Sequence, residues 1–338
     1  MCRYLKSAVL FVVMGVTIDS HGQTPANDSE LQRILSKVRE NYATSSAWHF
    51  EHKITVEETE GTGPAVKLAE VSLITANRVA PAKSAGVTAA AFCAERCRLE
   101  SNTAERGTTT LVRDGTTTWF YASTRGEYMK GSTLRDIASS VSGPMLLAVH
   151  LMPLENLGAE AWTDVRLLDD GVLQVDGEKR DCFVIEATLK SNGFSVDSFR
   201  PGQPPPAPDI SMFSTPSGLI QLFQMQGLTN LPSPGAYLAA AGAAPARTRL
   251  WIDKERYLVL RRSSTQTATK IGSVAPPQST PQPLAPVEVS LRIEDVFSRA
   301  QIADAVQGSV FTFEPPAGSR EIPNVRTRAP QTPAETGR

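Results

Sequence analysis

The chain has 338 residues, of which 41% are hydrophobic and 20% are charged, so it can form a packed core and is not disordered throughout. Its 34 basic and 35 acidic side chains nearly cancel and leave a formal net charge of -1. So little net charge gives no electrostatic argument for a nucleic-acid partner or an anionic membrane surface.

The first 22 residues have the pattern of a secretory signal peptide. Arg3 and Lys6 precede the apolar run AVLFVVMGVTI, and the small residues Ser20 and Gly22 follow it at the positions of a cleavage site. The run is too short to span a bilayer. We therefore expect export, cleavage near Gly22 and a periplasmic location for the mature protein.

An amphipathic helix is predicted directly after the cleavage site. Ser29 and Gln32 fit a capping box at its start. Apolar residues then recur at helical spacing, at Leu31, Ile34, Leu35, Val38 and Tyr42. One side of this helix is expected to be buried.

From residue 46 the apolar spacing becomes alternating, which predicts a succession of strands. They read SAWHFEHKITVEET, VKLAEVSLITANRV, GTTTLVRDGTTTWFYAST and GEYMKG. Asp114-Gly115 predicts a two-residue hairpin turn within the third of them. Residues 133–153 break the alternation and predict two short apolar helical pieces.

Two further hairpins are predicted in the second half of the chain. VLQVDGEKRDCFVIEAT turns at Asp176-Gly177, and RLWIDKERYLVLRR (residues 249–262) turns over four charged residues that begin at Asp253. VEVSLRIEDVF (287–297) alternates apolar and polar residues, so its strand should have one dry and one wet face. FTFEPPAG (311–318) predicts a short closing strand.

Two Pro-rich segments interrupt this predicted sheet. Residues 191–247 are rich in Pro, Gly, Ser and Ala, and only SGLIQLFQMQGL within them predicts a short helix. Residues 268–286 form a second Pro-rich connection, and 323–338 form a polar tail. The predicted fold class is α+β, with one domain over residues 23–322 that carries 191–247 as an insertion.

Three cysteines would remain after cleavage: Cys93, Cys97 and Cys182. The oxidising compartment outside the cytoplasm permits a disulfide. The spacing places Cys93 and Cys97 on one face of a strand or a helix, so a bridge between them requires a turn. A bridge from one of them to Cys182 is the alternative, and the remaining thiol should be buried.

Common catalytic motifs are absent from the sequence, among them G-x-S-x-G, the Walker-A loop, H-E-x-x-H and C-x-x-C. His49 and His52 form H-x-x-H, but residues three apart on a strand face opposite sides, which favours a solvated pair over a metal site. His150 lies in the apolar stretch LLAVHLMP and is expected to be a packed imidazole rather than a base. We predict no catalysis, no cofactor and no metal.

Several predicted strands are apolar on both faces, including those of the 249–262 hairpin. Such strands need cover on both faces, and the chain offers one substantial amphipathic helix and a few short ones. Apolar cavities are lined by aliphatic and aromatic side chains. A cavity between sheet and helices is therefore predicted, with the candidate lining residues Leu35, Leu73, Trp119, Tyr121, Met145, Leu146, Leu250, Ile252 and Leu291.

The order of these motifs resembles the outer-membrane lipoprotein carrier family, the LolA-like proteins, in a superfamily that also contains RseB-type periplasmic regulators. The resemblance rests on VRDGTTTWFY followed by RGEYMKG, then on VDGEKRDCFVIEAT, RLWIDKERYLVLRR and FTFEPPAG, and it covers most of residues 28–322. It implies an unclosed antiparallel β-barrel, or half-barrel, with helices on its concave side. It also implies a cavity for acyl chains and no chemistry.

Two functions of different classes follow from these observations. The first is a non-catalytic periplasmic carrier that binds the acyl chains of lipids or lipoproteins. The second is an RseB-like module that senses the state of the envelope by binding a membrane-bound envelope protein. The insertion at 191–247 motivates the second, because extra loops often form binding surfaces. This insertion, the 268–286 connection and the cysteines distinguish the chain from simple carriers.

Overall fold

The computed structural model describes residues 25–45, 47–78, 95–103, 107–132, 162–189, 237–239, 245–270 and 286–323. This part of the chain contains one α-helix, α1 (Pro25–Thr44), and otherwise consists mainly of β-strands. The strands are β1 (Ala47–Glu60), β2 (Val66–Arg78), β3 (Arg96–Thr103), β4 (Gly107–Arg113), β5 (Thr118–Ala122), β6 (Glu127–Gly131), β7 (Trp162–Leu167), β8 (Gly171–Val175), β9 (Glu178–Leu189), β10 (Tyr237–Ala239), β11 (Ala246–Asp253), β12 (Val259–Lys270), β13 (Val287–Ile302) and β14 (Arg320–Glu321).

All these strands belong to one sheet with the order β14-β6-β5-β4-β3-β2-β1-β13-β12-β11-β9-β7, to which β8 is added beside β9 and β10 beside β12. Within the described residues the sheet is not closed into a barrel, because the edge strands β14 and β7 each pair with one strand. The central strand β1 pairs with its neighbour in sequence, β2, and with the distant β13. The short helices predicted at 133–153 and 217–228 lie outside the described residues.

Helix α1 begins earlier than its sequence pattern predicts. The predicted start at Ser29 is wrong, because the first helical residue is Pro25. Proline suits this position, since its fixed φ is helical and its missing N–H needs no partner there. The predicted buried side is confirmed: Leu31, Ile34, Leu35 and Val38 are at most 7% exposed. The side chain of Tyr42 lies outside the description.

The two Asp-Gly turns differ in length. Asp176 and Gly177 have φ values of 54° and 81° and join β8 to β9 directly, so this predicted hairpin is confirmed. The two-residue turn predicted at Asp114-Gly115 is wrong, because β4 and β5 are joined by four residues. The Asp114 side chain stabilises the longer turn by accepting hydrogen bonds from the backbone N–H groups of Thr116 and Thr117, at 2.9 and 2.8 Å.

Two other strands depart from the predictions. β3 is missing from the predicted set, although its burial alternates along the strand and includes the buried Cys97 and Leu99. The closing strand predicted at 311–318 is wrong, because Phe311 ends a 3-10 helix (Gly308–Phe311). A strand forms only later, at Arg320–Glu321, where β14 pairs in parallel with β6.

The two faces of the sheet are covered by different parts of the chain. The inner face packs against α1 and carries Phe50, Leu250 and Phe297. The outer face is the opposite one. On the outer face of the β1–β5 half, Phe311 packs with Ala76 in a second, smaller cluster. The C-terminal segment 306–313 therefore covers that half of the outer face.

Candidate functional site

The buried side of α1 and the inner face of the sheet form one core cluster. This α1 core cluster joins Ile34 and Val38 of the helix to Phe50, Leu250 and Phe297 of the sheet. Phe50 and Phe297 meet edge to face, with ring centroids 5.9 Å apart. The helix is thus packed onto the middle strands of the sheet.

The turn of the predicted 249–262 hairpin holds the helix in place. Asp253 orders the turn, because its carboxylate accepts a hydrogen bond from the backbone N–H of Arg256 at 2.9 Å. Tyr257 has a φ of 52°, in the left-handed region. From α1, Asn41 donates to the backbone oxygen of Arg256 at 2.6 Å, and Arg33 donates to the Tyr257 hydroxyl at 2.7 Å. The hairpin is confirmed, but its turn is residues 254–258 rather than the four residues that begin at Asp253, which is part of β11. This turn contacts α1.

The inner face continues beyond the α1 core cluster with a second set of buried apolar side chains. Pairing places Ile54 opposite Val71, and Val56 opposite Ile293. None of this set belongs to the cluster that contains α1. We call it the extended apolar patch; its members, each at most 2% exposed, are Ile54, Val56, Val71, Leu73, Val289, Leu291 and Ile293.

A charged pair lies in the middle of the inner face. Arg262 and Asp295 stand opposite each other on β12 and β13, in a row that continues to Leu250 on one side and Ile54 on the other. Asp295 is 1% exposed. Burial lowers the pKa of the Arg262 guanidinium, and the Asp295 charge opposes that lowering. The inner face thus has a charged centre with apolar side chains on both sides.

Most of the predicted cavity-lining residues that the structure describes lie on the inner face of the sheet or on the buried side of α1. Leu35, Leu250 and Ile252 belong to the α1 core cluster. Leu73 and Leu291 belong to the extended apolar patch. Met145 and Leu146 lie outside the described residues.

Trp119 and Tyr121 lie on the outer face instead. Phe120, between them, packs against the α1 core cluster, and successive side chains of a strand point to opposite faces. Both outer rings contact Phe313 of the C-terminal region, with centroid distances of 6.1 and 5.9 Å. These two residues are therefore not positioned to line a cavity beside α1. The sequence TTTWFY shows that Trp119 and Tyr121 share one face of a strand, but it does not show whether that face meets α1.

The cysteines divide into a bonded and a free group. Cys97 is disulfide-bonded, and its partner lies outside the described residues, as does Cys93. Cys182 is a free, buried thiol, so the alternative bridge to Cys182 is not formed. Burial and the nearby Asp253 and Asp181 charges raise the pKa of the Cys182 thiol to about 11. A thiol with so high a pKa is a poor nucleophile at neutral pH.

The histidines form no recognisable site in the described residues. His49 is 8% exposed, its Nδ1 lies 3.5 Å from Oε1 of Gln301, and burial lowers its pKa. The side chain of His52 and the whole of His150 lie outside the description. No group of three or more possible metal ligands occurs in the part of the chain that the structure describes. Its α-helix is not apolar enough to cross a membrane.

The outer face of β7, β9 and β11 carries an ion-pair group that the sequence alone does not single out. Glu186, only 3% exposed, accepts hydrogen bonds from Arg249 Nε at 2.6 Å and from Arg166 Nε at 3.1 Å. Burial raises the pKa of Glu186, but the bonds from Arg249 and Arg166 outweigh it and hold the pKa below its ordinary value. In the sequence each of these residues resembles an ordinary solvent-exposed strand residue. Only the strand register shows that they are neighbours.

A second ion-pair group lies next to the first, on β12 and β13. Glu294 accepts a hydrogen bond from Arg292 Nη2 at 2.8 Å and is also paired with Arg261. The Arg261 guanidinium lies 4.6 Å from the ring centre of Trp251. The outer face of this half of the sheet is therefore charged and rich in arginine. The inner face of the same strands combines the apolar side chains of β13 with polar side chains of β12, namely Arg262, Ser264, Gln266 and Lys270.

No family model matches this sequence, and no curated protein matches it. Among solved structures, a LolA superfamily protein from Nitrosomonas europaea aligns with 84% of this chain and 97% of its own, at 10% identity and a TM-score of 0.23. An uncharacterized conserved protein from Thermus thermophilus aligns with 87% of this chain and 98% of its own, at 12% identity and a TM-score of 0.27. Similarity at these low TM-scores supports no conclusion about this chain.

Proposed function

We propose that this protein binds acyl chains of lipids or lipoproteins on the inner face of its sheet and carries them in the periplasm, without catalysis. The observation that carries the proposal is the extended apolar patch. An antiparallel sheet with one dry face needs a partner layer for that face. Here the dry face extends across β2, β1 and β13, beyond the cluster that contains α1. Its side chains are already covered, at most 2% exposed, so an acyl chain must displace their cover in order to bind.

The patch is chemically suited to a hydrocarbon chain. Its members are aliphatic side chains drawn from adjacent strands, with the buried polar residues Glu58 and Gln266 on either side of Leu291 in the strand pairing. Burying hydrocarbon contributes about 0.8 kcal/mol per methylene, so ten methylenes would contribute roughly 8 kcal/mol before the costs of association. That gross contribution is comparable with the binding free energy of a micromolar complex, about -8 kcal/mol.

A fluorescent fatty acid titrated into the purified protein tests the proposal. Leu291→Phe would fill part of the patch and should weaken binding of the probe severalfold, because added volume competes with the ligand for space. Val172→Phe is the matched control: Val172 is 63% exposed on β8, outside the patch, and its replacement should leave binding unchanged. Thermal unfolding of both variants checks that they fold.

Two results would contradict the proposal. One is failure of the wild-type protein to bind any acyl probe. The other is equal binding by the wild type and a folded Leu291→Phe variant. If the lipid-free protein, used as bait in a pull-down from envelope extracts, recovers a membrane protein, that result would instead favour the RseB-like regulatory function. The two candidate functions are thus separated by direct measurements.

A further inference from the structure

The outer face contains a pocket on the side of the sheet opposite to α1. It lies over β11, β12 and β13 and has a volume of about 560 Å³. The side chains that shape it are Arg247, Arg249, Ser263, Thr265, Thr267 and Arg292. We call it the arginine pocket. It is independent of the acyl-binding function proposed above, because it uses the other face.

The strand register explains why a pocket forms here. Thr265 of β12 stands between Arg247 of β11 and Arg292 of β13. Neighbouring strands lie about 4.8 Å apart, so the two arginine backbones are separated by roughly 10 Å. The short hydroxyl side chains of β12 form the floor, and the long arginines on the flanking strands form the walls.

The three guanidinium groups retain donors that can face a ligand. Arg249 is bonded to Glu186 through Nε, and Arg292 is bonded to Glu294 through Nη2. A guanidinium carries five N–H donors, so each of these contacts uses only a part of them. Arg247 is exposed and makes no hydrogen bond or ion pair within the described residues.

The charges around the pocket do not cancel. The five arginines of this face are Arg166, Arg247, Arg249, Arg261 and Arg292. The carboxylates among them are Glu186 and Glu294, together with Glu57, which stands opposite Arg292, and Glu288, which stands opposite Thr269 in the strand pairing. Five positive and four negative charges leave an excess of one positive charge.

We propose that the arginine pocket binds a phosphate or phosphate-ester group. Arginine forks match the oxygens of phosphate and form charge-assisted hydrogen bonds with them. The Ser263, Thr265 and Thr267 hydroxyls add neutral donors beneath the anion. The same chemistry is presented by a free phosphate compound and by the headgroup of an anionic phospholipid.

Calorimetric titration of the full mature chain with pyrophosphate tests whether the pocket binds a free phosphate compound. Sedimentation with phosphatidylglycerol vesicles, compared with phosphatidylcholine vesicles, tests whether it binds an anionic phospholipid headgroup. Arg247→Gln should weaken whichever binding is seen by about tenfold, because it removes a charged donor that the fold does not use. The matched control is Arg320→Gln, since Arg320 is 74% exposed and lies in the edge strand β14.

Pyrophosphate binding that is lost in Arg247→Gln and kept in Arg320→Gln supports the pocket with a soluble ligand. Selective binding to phosphatidylglycerol vesicles with the same dependence on Arg247 supports it with a lipid headgroup. If neither pyrophosphate nor phosphatidylglycerol binding is observed, or if Arg247→Gln and Arg320→Gln weaken binding equally, the proposal is overturned. None of these results depends on whether the inner face binds acyl chains.

Discussion

Replacing Glu186 by glutamine tests the ion-pair group on the outer face. The carboxylate is 3% exposed and is held between Arg166 and Arg249. Glutamine preserves the size of the side chain and one acceptor oxygen. It removes the negative charge, however, and places an N–H donor where a guanidinium expects an acceptor.

The expected loss of stability is modest. A hydrogen bond to a charged group contributes about 1.5–3 kcal/mol. Arg166 and Arg249 are 52% and 50% exposed, so water can replace part of the hydrogen bonding that the two guanidinium groups lose. We therefore expect Glu186→Gln to lower the free energy of unfolding by about 1–2 kcal/mol at neutral pH, after allowance for this solvent screening.

The pH dependence of this loss has a definite sign. The pKa of Glu186 in the folded protein lies below its ordinary value of 4.5. Its contribution to stability is therefore fully present above the pKa of the unfolded chain and is lost as the pH falls through the folded pKa. The difference in stability between wild type and Glu186→Gln should shrink below about pH 4.

Urea denaturation followed by tryptophan fluorescence, at a series of pH values, measures this difference. Glu178→Gln is the control, because Glu178 is 63% exposed and paired with Arg180 at the surface. The control should change the unfolding free energy by less than about 0.5 kcal/mol. A Glu186→Gln difference that is absent at neutral pH, or that persists unchanged to low pH, would show that the ion pairs of Glu186 do not stabilise the fold.

Further predictions concern the core, the arginine pocket and the free thiol. Ile34→Ala should lower the free energy of unfolding by about 2–5 kcal/mol, whereas Lys37→Ala on the solvent side of α1 should change it by less than about 0.5 kcal/mol in the same urea titration. Glu186→Gln should strengthen pyrophosphate binding about two- to threefold in calorimetry, because it removes a competing charge beside Arg249; unchanged or weaker binding would place Arg249 outside the site. Cys182 should react with a thiol reagent slowly in the native protein and rapidly in urea, and fast native labelling would contradict its burial.

Elements with a local signal could be predicted from the sequence. The Asp176-Gly177 turn needs two residues with positive φ, and Asp-Gly supplies them. The alternation of apolar and polar residues over 287–297 also predicts burial: Val289, Leu291 and Ile293 are buried as predicted. Val287 is the exception, at 43% exposed, because it begins the strand.

Elements that depend on distant partners could not be predicted in the same way. The central pairing of β1 with β13 joins Val56 to Ile293, and no local pattern specifies that contact. The parallel pairing of β14 with β6 depends on where the chain returns after Phe311. β3 is different, since its alternation is readable in the sequence although the strand is missing from the predicted set. The cysteine spacing fits a strand face, and only a bridge between Cys93 and Cys97 would require a turn.

The candidate site residues also differ in whether the local sequence predicts their positions. Leu250 and Leu291 are recognisable as buried residues, because each lies in an alternating strand. Trp119 lies on the face opposite to α1, which the sequence could not show, since alternation gives two faces without saying which one meets the helix. The arginine pocket is invisible in the sequence, because Arg247 and Arg292 become neighbours of Thr265 only through the register.

Photo-crosslinking with a diazirine fatty acid, with the modified peptides mapped by mass spectrometry, tests acyl binding on the inner face most directly. Crosslinks are expected at inner-face residues of β1, β2 and β13, such as Val56, Leu73 and Leu291, and an excess of unlabelled fatty acid should suppress them. Crosslinks confined to the outer face, or crosslinks that unlabelled fatty acid does not suppress, would show that acyl chains do not bind the inner face.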